Sequence, residues 1–384
     1  MHPWPSSTLA APTRRSAHSE RGRWPASAPR RVLLRLALSV PYLLLAALTS
    51  ARGVTSGANR YLEESGALIR WGSRDFGSFI GELYPPIPTA IASILPGGVA
   101  TLAYVGALAA GGILHVAWER LQQLDTPAWL QAVLLVCFGA APAFGYLATE
   151  DLARFVGLGL FAVAAGAFIR FVAAGDTEAG FLCGLTLGVA IVCDPVALVY
   201  AACLGAAAPA AGMRYGGTRD SAGAAVLVIT FPAVGALAGW TFLQWRFTGS
   251  PFGWLVDSPG VLDFPDGVWG ELVNSVGNTG LALALSPLFV LTQVLVIRRR
   301  PEMLLVALLP LVGLTVSLWL GLRVAGGHAQ VLLGLVALVS VPRSPSRRVA
   351  TSVAVAAVAG LVAVTLRAAF SDNLINAWLV ELAG

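Results

Sequence analysis

The carboxylates that could act as a general base all lie between residues 60 and 84. Asp75 follows an arginine and precedes a phenylalanine, which would place it at a boundary between polar and apolar surfaces. Partial burial there would raise the pKa of a carboxylate toward that of a usable base. Glu82 is the second candidate and Glu63 the third, since Glu63 and its neighbour Glu64 point in different directions on a helix. Solvated loop charges that pair with one another are the alternative interpretation.

Three cationic or ionisable side chains are candidates for binding a phosphate. Arg246 follows a tryptophan and precedes turn-forming residues, an arrangement that could seat an anionic headgroup under aromatic faces. Its alternative role is to extend to the membrane surface, as arginines near helix ends commonly do. Arg323 has His328 five residues later, and the two could hold a phosphate or cap helix ends.

Aromatic residues flank these candidates. Trp71, Tyr84 and Trp254 suit an interfacial belt or the contact with a lipid headgroup. Prolines after Tyr84 break the chain, and the short apolar segment 87–95 is then expected to enter the structure without crossing a membrane. The mixed segment from Arg60 to Ile80 is expected to lie along the membrane surface as an amphipathic element.

The composition determines what kind of protein must position these residues. Of 384 residues, 57% are hydrophobic and 12% charged, and the mean hydropathy is +0.75, which excludes a water-soluble globular domain. All 25 basic residues are arginines that form no basic patch interleaved with aromatic residues, so nucleic-acid binding is not expected. The four cysteines lie in apolar runs without a CxxC pair, so neither a metal site nor a cofactor is predicted.

Apolar stretches long enough to cross a hydrocarbon core as helices recur along the chain. We expect an all-α integral membrane protein, a polytopic bundle of about 11 transmembrane helices. The expected spans are 32–50, 97–117, 127–148, 151–171, 178–193, 195–213, 223–245, 279–297, 303–322, 325–342 and 349–368.

The distribution of charge predicts the orientation. With the N-terminus inside, 17 of the 25 arginines fall on the inner side and 13 of the 20 acids on the outer side. The sequence therefore predicts a multi-pass plasma-membrane protein, N-in and C-out. Its expected parts are a disordered cytoplasmic tail at 1–30, a membrane domain at 31–370 with long outer loops at 51–96 and 246–278, and an outer tail at 371–384.

Several of these features resemble the polytopic glycosyltransferases of the C superfamily. The similarity lies in an N-in first helix followed by a long outer loop that YPPIP (84–88) closes, in the glycine-spaced GFLCGLTLGVAIVCDP (180–195), and in WRFTGSPFGWL (245–255). The resemblance covers most of residues 32–330.

The resemblance implies transfer of a sugar from a polyprenyl-phosphate donor at the outer face of a bacterial plasma membrane. It implies that Asp75 deprotonates the acceptor and that Arg246 and Arg323 bind the lipid phosphate. Relatives usually carry an acid soon after the first helix, where this chain has Asn59 and Arg60. The expected function is therefore a glycosyltransferase or a non-catalytic relative, with membrane lipids and a polyprenyl-phosphate-linked sugar as partners.

Two functions of other classes remain open. A transporter or flippase for a lipid or hydrophobic solute would have broken helices and internal repeats; proline-interrupted spans exist, but no clear repeat is visible. An accessory membrane subunit would only pack against a partner, and then no single outer charge would matter.

Overall fold

The computed structural model is built of helices throughout the part of the chain that it describes. The described residues are 25, 27–55, 57–72, 84–216, 219–253, 264–299, 304–322, 326–371 and 373–383. No strand occurs in these ranges, and 83% of the described residues are helical. Lipid offers no hydrogen-bond partner to a backbone, so an apolar chain of this composition satisfies its N–H and C=O groups within helices.

Sixteen helices make up the described ranges. They are α1 (Ala28–Ala51), α2 (Gly57–Ala67), α3 (Pro86–Ile94), α4 (Gly98–Gln123), α5 (Ala128–Gly139), α6 (Pro142–Glu150), α7 (Leu152–Ala174), α8 (Thr177–Ile191), α9 (Val196–Gly216), α10 (Arg219–Thr248), α11 (Gly267–Ala284), α12 (Pro287–Arg299), α13 (Leu304–Trp319), α14 (His328–Val339), α15 (Arg347–Phe370) and α16 (Leu374–Ala383).

Several of these helices define an α-helical membrane protein. Within the described residues, five helices are long and apolar enough to cross a membrane: α1, α4, α7, α10 and α15. The pairs α5–α6 and α11–α12 each pass the same test together, which brings the number to seven if each bent pair is one span. Five further apolar helices are shorter, so length and composition by themselves support five to seven spans rather than the eleven expected.

Two expected spans are bent rather than straight. The segment 127–148 divides at residues 140 and 141, where α5 and α6 meet at 58°, and 279–297 divides at 285 and 286, where α11 and α12 meet at 86°. A proline begins the second helix of each pair, Pro142 and Pro287. Proline has no N–H to donate and disfavours a helical residue before it, so a new helix starts there in another direction.

Both expected outer loops contain helical structure. Helices α2 and α3 lie within 51–96, and α3 matches the short apolar segment expected at 87–95. In 246–278, α10 continues to Thr248 and α11 already begins at Gly267, so the loop is shorter than predicted. The expected outer tail is largely α16, whose Ile375 and Trp378 are buried, because its apolar residues pack against α6 and α15.

Helix α7 lies at the centre of the bundle. It contacts α4, α6, α8, α9 and α14, and its Phe155, Leu158 and Phe168 are almost completely buried. Helices α1 and α15 lie further out and expose many apolar side chains, as expected of surfaces that face lipid. The central position of α7 matters for function because the polar residues at its first turn are held inside the bundle.

Candidate functional site

Five ionisable residues lie together at the end of the bundle where α7 begins. We refer to them as the Asp151 cluster: Glu150, Asp151, Arg154, Asp194 and His328. All except Arg154 are almost completely buried, and the Arg154 side chain is 19% exposed. Ionisable groups buried among membrane helices are costly and commonly mark a functional site.

The pairing of Asp151 with Arg154 follows from local helix geometry. Asp151 is the N-cap of α7, and its Oδ1 accepts a hydrogen bond from Arg154 N at 3.2 Å. Its Oδ2 accepts a second, charge-assisted bond from Arg154 Nη1 at 2.8 Å. The residues are three apart, which places them on the same face of the first turn. The carboxylate therefore caps the helix and orients the guanidinium together.

Asn59 stabilises the connection between helices α6 and α7. Its Nδ2 donates to Thr149 O at 2.8 Å, and its Oδ1 accepts from Leu152 N at 3.1 Å. The Asn59 side chain thus satisfies two backbone groups, Thr149 O and Leu152 N, which flank Glu150 and Asp151. These groups lie at the end of α6 and the start of α7, where helices lack hydrogen-bond partners of their own. This fixes α2 against the cluster.

Asp194 approaches Arg154 from the connection between α8 and α9. Its Oδ1 accepts from Val196 N at 3.1 Å, which confirms the expected N-cap of the helix that follows. A Cβ at Gly157 would lie 2.6 Å from Asp194 Cβ, so the close approach of this connection to α7 depends on a glycine. Burial raises the pKa of the Asp194 carboxyl to about 6, although the Arg154 guanidinium and the hydrogen bond from Val196 act in the opposite direction.

His328, at the first turn of α14, completes the cluster. Its Nε2 is hydrogen-bonded to the Tyr200 hydroxyl at 2.8 Å, and the two rings are stacked with their centroids 6.1 Å apart. Arg154 lies close enough to interact electrostatically with both His328 and Asp194. His328 Nδ1 and Arg154 Nε are buried, and neither has a hydrogen-bond partner among the residues that the structure describes.

The chemistry available to the cluster follows from its charges. The carboxyl groups of Asp151 and Asp194 both interact with the guanidinium of Arg154, and burial raises the pKa of the Asp194 carboxyl, which makes it the candidate in the cluster for taking up a proton. The guanidinium and the imidazole carry unpartnered nitrogen atoms that suit an anionic oxygen. In the described ranges no three His, Cys, Asp or Glu side chains are placed to hold a metal ion.

Four of the residues expected to form the site lie outside the described residues: Asp75, Glu82, Arg323 and Trp254. The other five are described and do not form one group. Glu63 is half-buried on α2 with its carboxylate against Gly98, and Arg246 is exposed at the end of α10 with its guanidinium 5.8 Å from the Phe247 ring. Trp71 is exposed and donates from Nε1 to Ser93 Oγ at 3.0 Å.

Tyr84 and His328 are the expected residues nearest to the Asp151 cluster. The Tyr84 hydroxyl donates to Ile191 O at 3.2 Å, three residues before Asp194, and Asp194 interacts electrostatically with Tyr84. His328 belongs to the cluster itself and is completely buried, rather than open at a membrane surface. Tyr84 is also buried, because its ring packs against that of Trp240, with the ring centroids 6.0 Å apart. Neither Tyr84 nor His328 is therefore part of an exposed aromatic belt.

Sequence reasoning did not single out Arg154, Glu150 or Asp151 as site residues. Arg154 falls inside the expected span 151–171, where an ionisable residue is itself a signal of function. An acid three residues before an arginine at the start of an apolar span would have pointed to the cap and ion pair that the structure contains.

Two further ring contacts lie beside the segments 73–83 and 254–263, which are outside the described residues. The Tyr84 ring, which follows 73–83, contacts Trp240 near the end of α10. The Phe264 ring, which follows 254–263, lies 6.1 Å from Trp319, and Trp319 Nε1 donates to Val268 O at 3.0 Å. Comparison of the chain with protein-family models, curated proteins and solved structures finds no match.

Proposed function

We propose that this protein is a membrane glycosyltransferase, or a non-catalytic relative, that handles a sugar carried on a polyprenyl phosphate at the outer face of the plasma membrane. The observation that carries the proposal is the Asp151 cluster, in which the buried carboxylates of Asp151 and Asp194 face the Arg154 guanidinium at one end of a membrane bundle. A base and a phosphate-binding cation are the two groups that such a transfer requires.

The proposal includes eleven crossings with the N-terminus inside. If each bent pair and each of α8, α9, α13 and α14 is one crossing, the chain alternates between two ends. Contacts at one end join Asn59 to Thr149 and Tyr84 to Ile191. At the other end Arg343 Nε lies 3.3 Å from Asp125 Oδ2. The excess of arginines on that second side supports assigning it to the cytoplasm.

The proposed reaction is an inverting displacement. A carboxylate takes the proton of the acceptor hydroxyl, the hydroxyl oxygen bonds to the anomeric carbon, and the bond from that carbon to the phosphate oxygen breaks. Asp75 remains the proposed base, with Glu82 and Glu63 as alternatives. Arg246, Arg323 and His328 remain the proposed phosphate ligands, and the described cluster adds Arg154 to them.

Within this proposal, Asp151 and Asp194 are positioning residues. Asp151 binds both the backbone and the guanidinium of Arg154, so its carboxylate fixes the direction of that cation. Asp194 approaches from the opposite helix connection and adds a second negative charge. An arginine held in this way keeps its geometry while the phosphate leaves, which is the requirement for stabilising charge that develops during transfer.

The proposal is tested by transfer of a labelled sugar from polyprenyl-phosphate donors in membranes that contain the protein. Asp75→Asn and Arg246→Ala should each lower transfer at least about a hundredfold at unchanged protein level. Glu381→Gln and Arg52→Ala are matched controls in outer segments and should transfer normally. Full transfer by both site variants would remove their assigned roles, and absence of transfer by the unaltered protein with a panel of donors would contradict catalysis.

The two bent helix pairs favour a second candidate, a transporter or flippase for a lipid or hydrophobic solute. Broken helices place backbone groups and helix ends inside a membrane, as transporter sites require. Reconstituted vesicles with a fluorescent lipid distinguish the candidates. Movement of the lipid between leaflets that requires Asp151, without sugar transfer, would favour the flippase.

A further inference from the structure

Two arginines lie close together near the end of α7 that is far from the Asp151 cluster. Arg120 is in the last turn of α4, and Arg170 is near the end of α7, a helix that packs against α4. Their positive charges are near enough to act on one another. Arg170 follows Arg154 by sixteen residues, which corresponds to about 24 Å along an α-helix. Most of the length of the bundle therefore separates this pair from the Asp151 cluster.

Neither guanidinium of the pair has an anionic partner among the residues that the structure describes. Arg120 is half-buried, and its Nε is completely buried without a hydrogen-bond acceptor in those ranges. Asp125, the next acid along the chain, pairs with Arg343 Nε at 3.3 Å. Glu119 is adjacent to Arg120, and adjacent side chains of a helix point in different directions. A charge that is partly withdrawn from water beside a like charge is stabilised by a bound anion.

The surroundings of the pair are those of a membrane interface. Trp118 lies two residues before Arg120, and its Nε1 donates to Gln131 Oε1 at 2.9 Å, which joins α4 to α5. Trp129, in the first turn of α5, is 46% exposed. Tryptophans are enriched at the level where lipid headgroups meet the hydrocarbon core. The anion most readily available to Arg120 at this level is the phosphate of a lipid.

We propose that Arg120 and Arg170 together bind the phosphate of an anionic membrane phospholipid. Each of two neighbouring helices supplies one guanidinium, whose planar fork of N–H groups can donate two parallel hydrogen bonds to phosphate oxygens. Basic pockets between membrane helices bind anionic lipid headgroups in this way. The bound phosphate offsets the repulsion between the two arginines and holds α4 and α7 together at this end. The site does not depend on the proposed transfer reaction.

Binding of phosphatidylglycerol tests the proposal directly. With detergent-purified protein freed of lipid, native mass spectrometry should find one phosphatidylglycerol that binds at least about tenfold more tightly than phosphatidylcholine. Arg120→Gln and Arg170→Gln should each remove that preference. Arg348→Gln, which removes an exposed arginine at the start of α15, is the matched control and should keep it.

Thermal unfolding distinguishes a bound anion from a merely structural role of the arginines. Phosphatidylglycerol should raise the unfolding temperature of the unaltered protein by at least about 3 °C, and Arg170→Gln should lose most of that rise. Without lipid, Arg170→Gln should unfold at the same temperature as the unaltered protein or at a higher one, because the repulsion is relieved. Arg170 is exposed, so this variant tests the site even if Arg120→Gln does not fold.

Three outcomes would overturn the proposal. Unchanged affinity of both pair variants for phosphatidylglycerol would show that the lipid binds elsewhere. An equal loss of the preference in Arg348→Gln would mean that overall positive charge, rather than this pair, attracts the lipid. Stronger stabilisation by inorganic phosphate than by phosphatidylglycerol, lost in Arg170→Gln, would assign the pair to a soluble phosphate.

Discussion

Helices α7 and α10 have similar hydropathy but opposite surroundings. In the apolar stretch of α7, 61% of the residues are buried, against 17% in α10. In α7 a Cβ at Gly157 would collide with Asp194, whereas Gly239 of α10 has no atom near its missing Cβ. The comparison teaches that apolar composition places a helix in the membrane but does not place it in the bundle.

The physical reason is that lipid tails are as apolar as leucine side chains. Burial against another helix gains little hydrophobic free energy in a membrane, so close packing and polar contacts select the central helix. Helix α7 has both, in Gly157 and in the Asp151 cluster, while α10 exposes Phe231, Phe242 and Trp245.

The largest difference between the two helices should appear when each loses an arginine. Arg154→Met leaves Asp151 and Asp194 buried without their cation, and we expect a loss of about 3–5 kcal/mol of stability. Arg246→Met, at the exposed end of α10, should change stability by less than about 0.5 kcal/mol. Thermal unfolding in mild detergent, followed by tryptophan fluorescence, measures both, and similar values would contradict the assigned roles of the two arginines.

A smaller effect is expected from removing the side chain that holds the start of α7. Asn59→Ala leaves Thr149 O and Leu152 N without their partner, and should cost about 2 kcal/mol. Asn274→Ala is the control, because Asn274 donates to Asp266 at the exposed start of α11 rather than to a buried backbone group. The same unfolding measurement applies, and equal midpoints for the two variants would show that Asn59 is dispensable.

Two glycine substitutions should have the smallest effects on stability, and these effects should have opposite signs. Gly157→Ala crowds Asp194, and the overpacking cost of about 1–3 kcal/mol, less the gain in helix propensity of about 1 kcal/mol, predicts a net loss near 1 kcal/mol. Gly239→Ala has open space and should gain about 0.5–1 kcal/mol. Stabilisation by both substitutions would mean that α7 does not need its glycine.

Much of the architecture could be predicted, because composition and hydrophobic length act locally. The helical class, the extent of α7 along the chain and the cap at Asp194 follow from residues within one turn of each other or from a single apolar run. The bends at Pro142 and Pro287 were visible as prolines, but the sequence could not say that 127–148 and 279–297 would each divide there.

The candidate site was less predictable because its members are distant in the chain. His328 was expected to bind a phosphate and Tyr84 to belong to an interfacial belt or to contact a headgroup. The structure buries both, His328 near Arg154 and Tyr84 against Ile191. Arg154 was passed over inside an expected span, although its partner Asp151 stands three residues away. Sequence spacing indicates a local ion pair but not which distant connection will complete it.

By itself the sequence determined that this chain folds as helices in a membrane, since so apolar a backbone has no other way to satisfy its hydrogen bonds in lipid. Only the tertiary structure decided that α7 would be central and that Asp151, Arg154, Asp194 and His328 would meet there. Hydropathy cannot make that choice, because the lipid and the neighbouring helices are equally apolar, and the choice rests on shape and on a few polar contacts between distant residues.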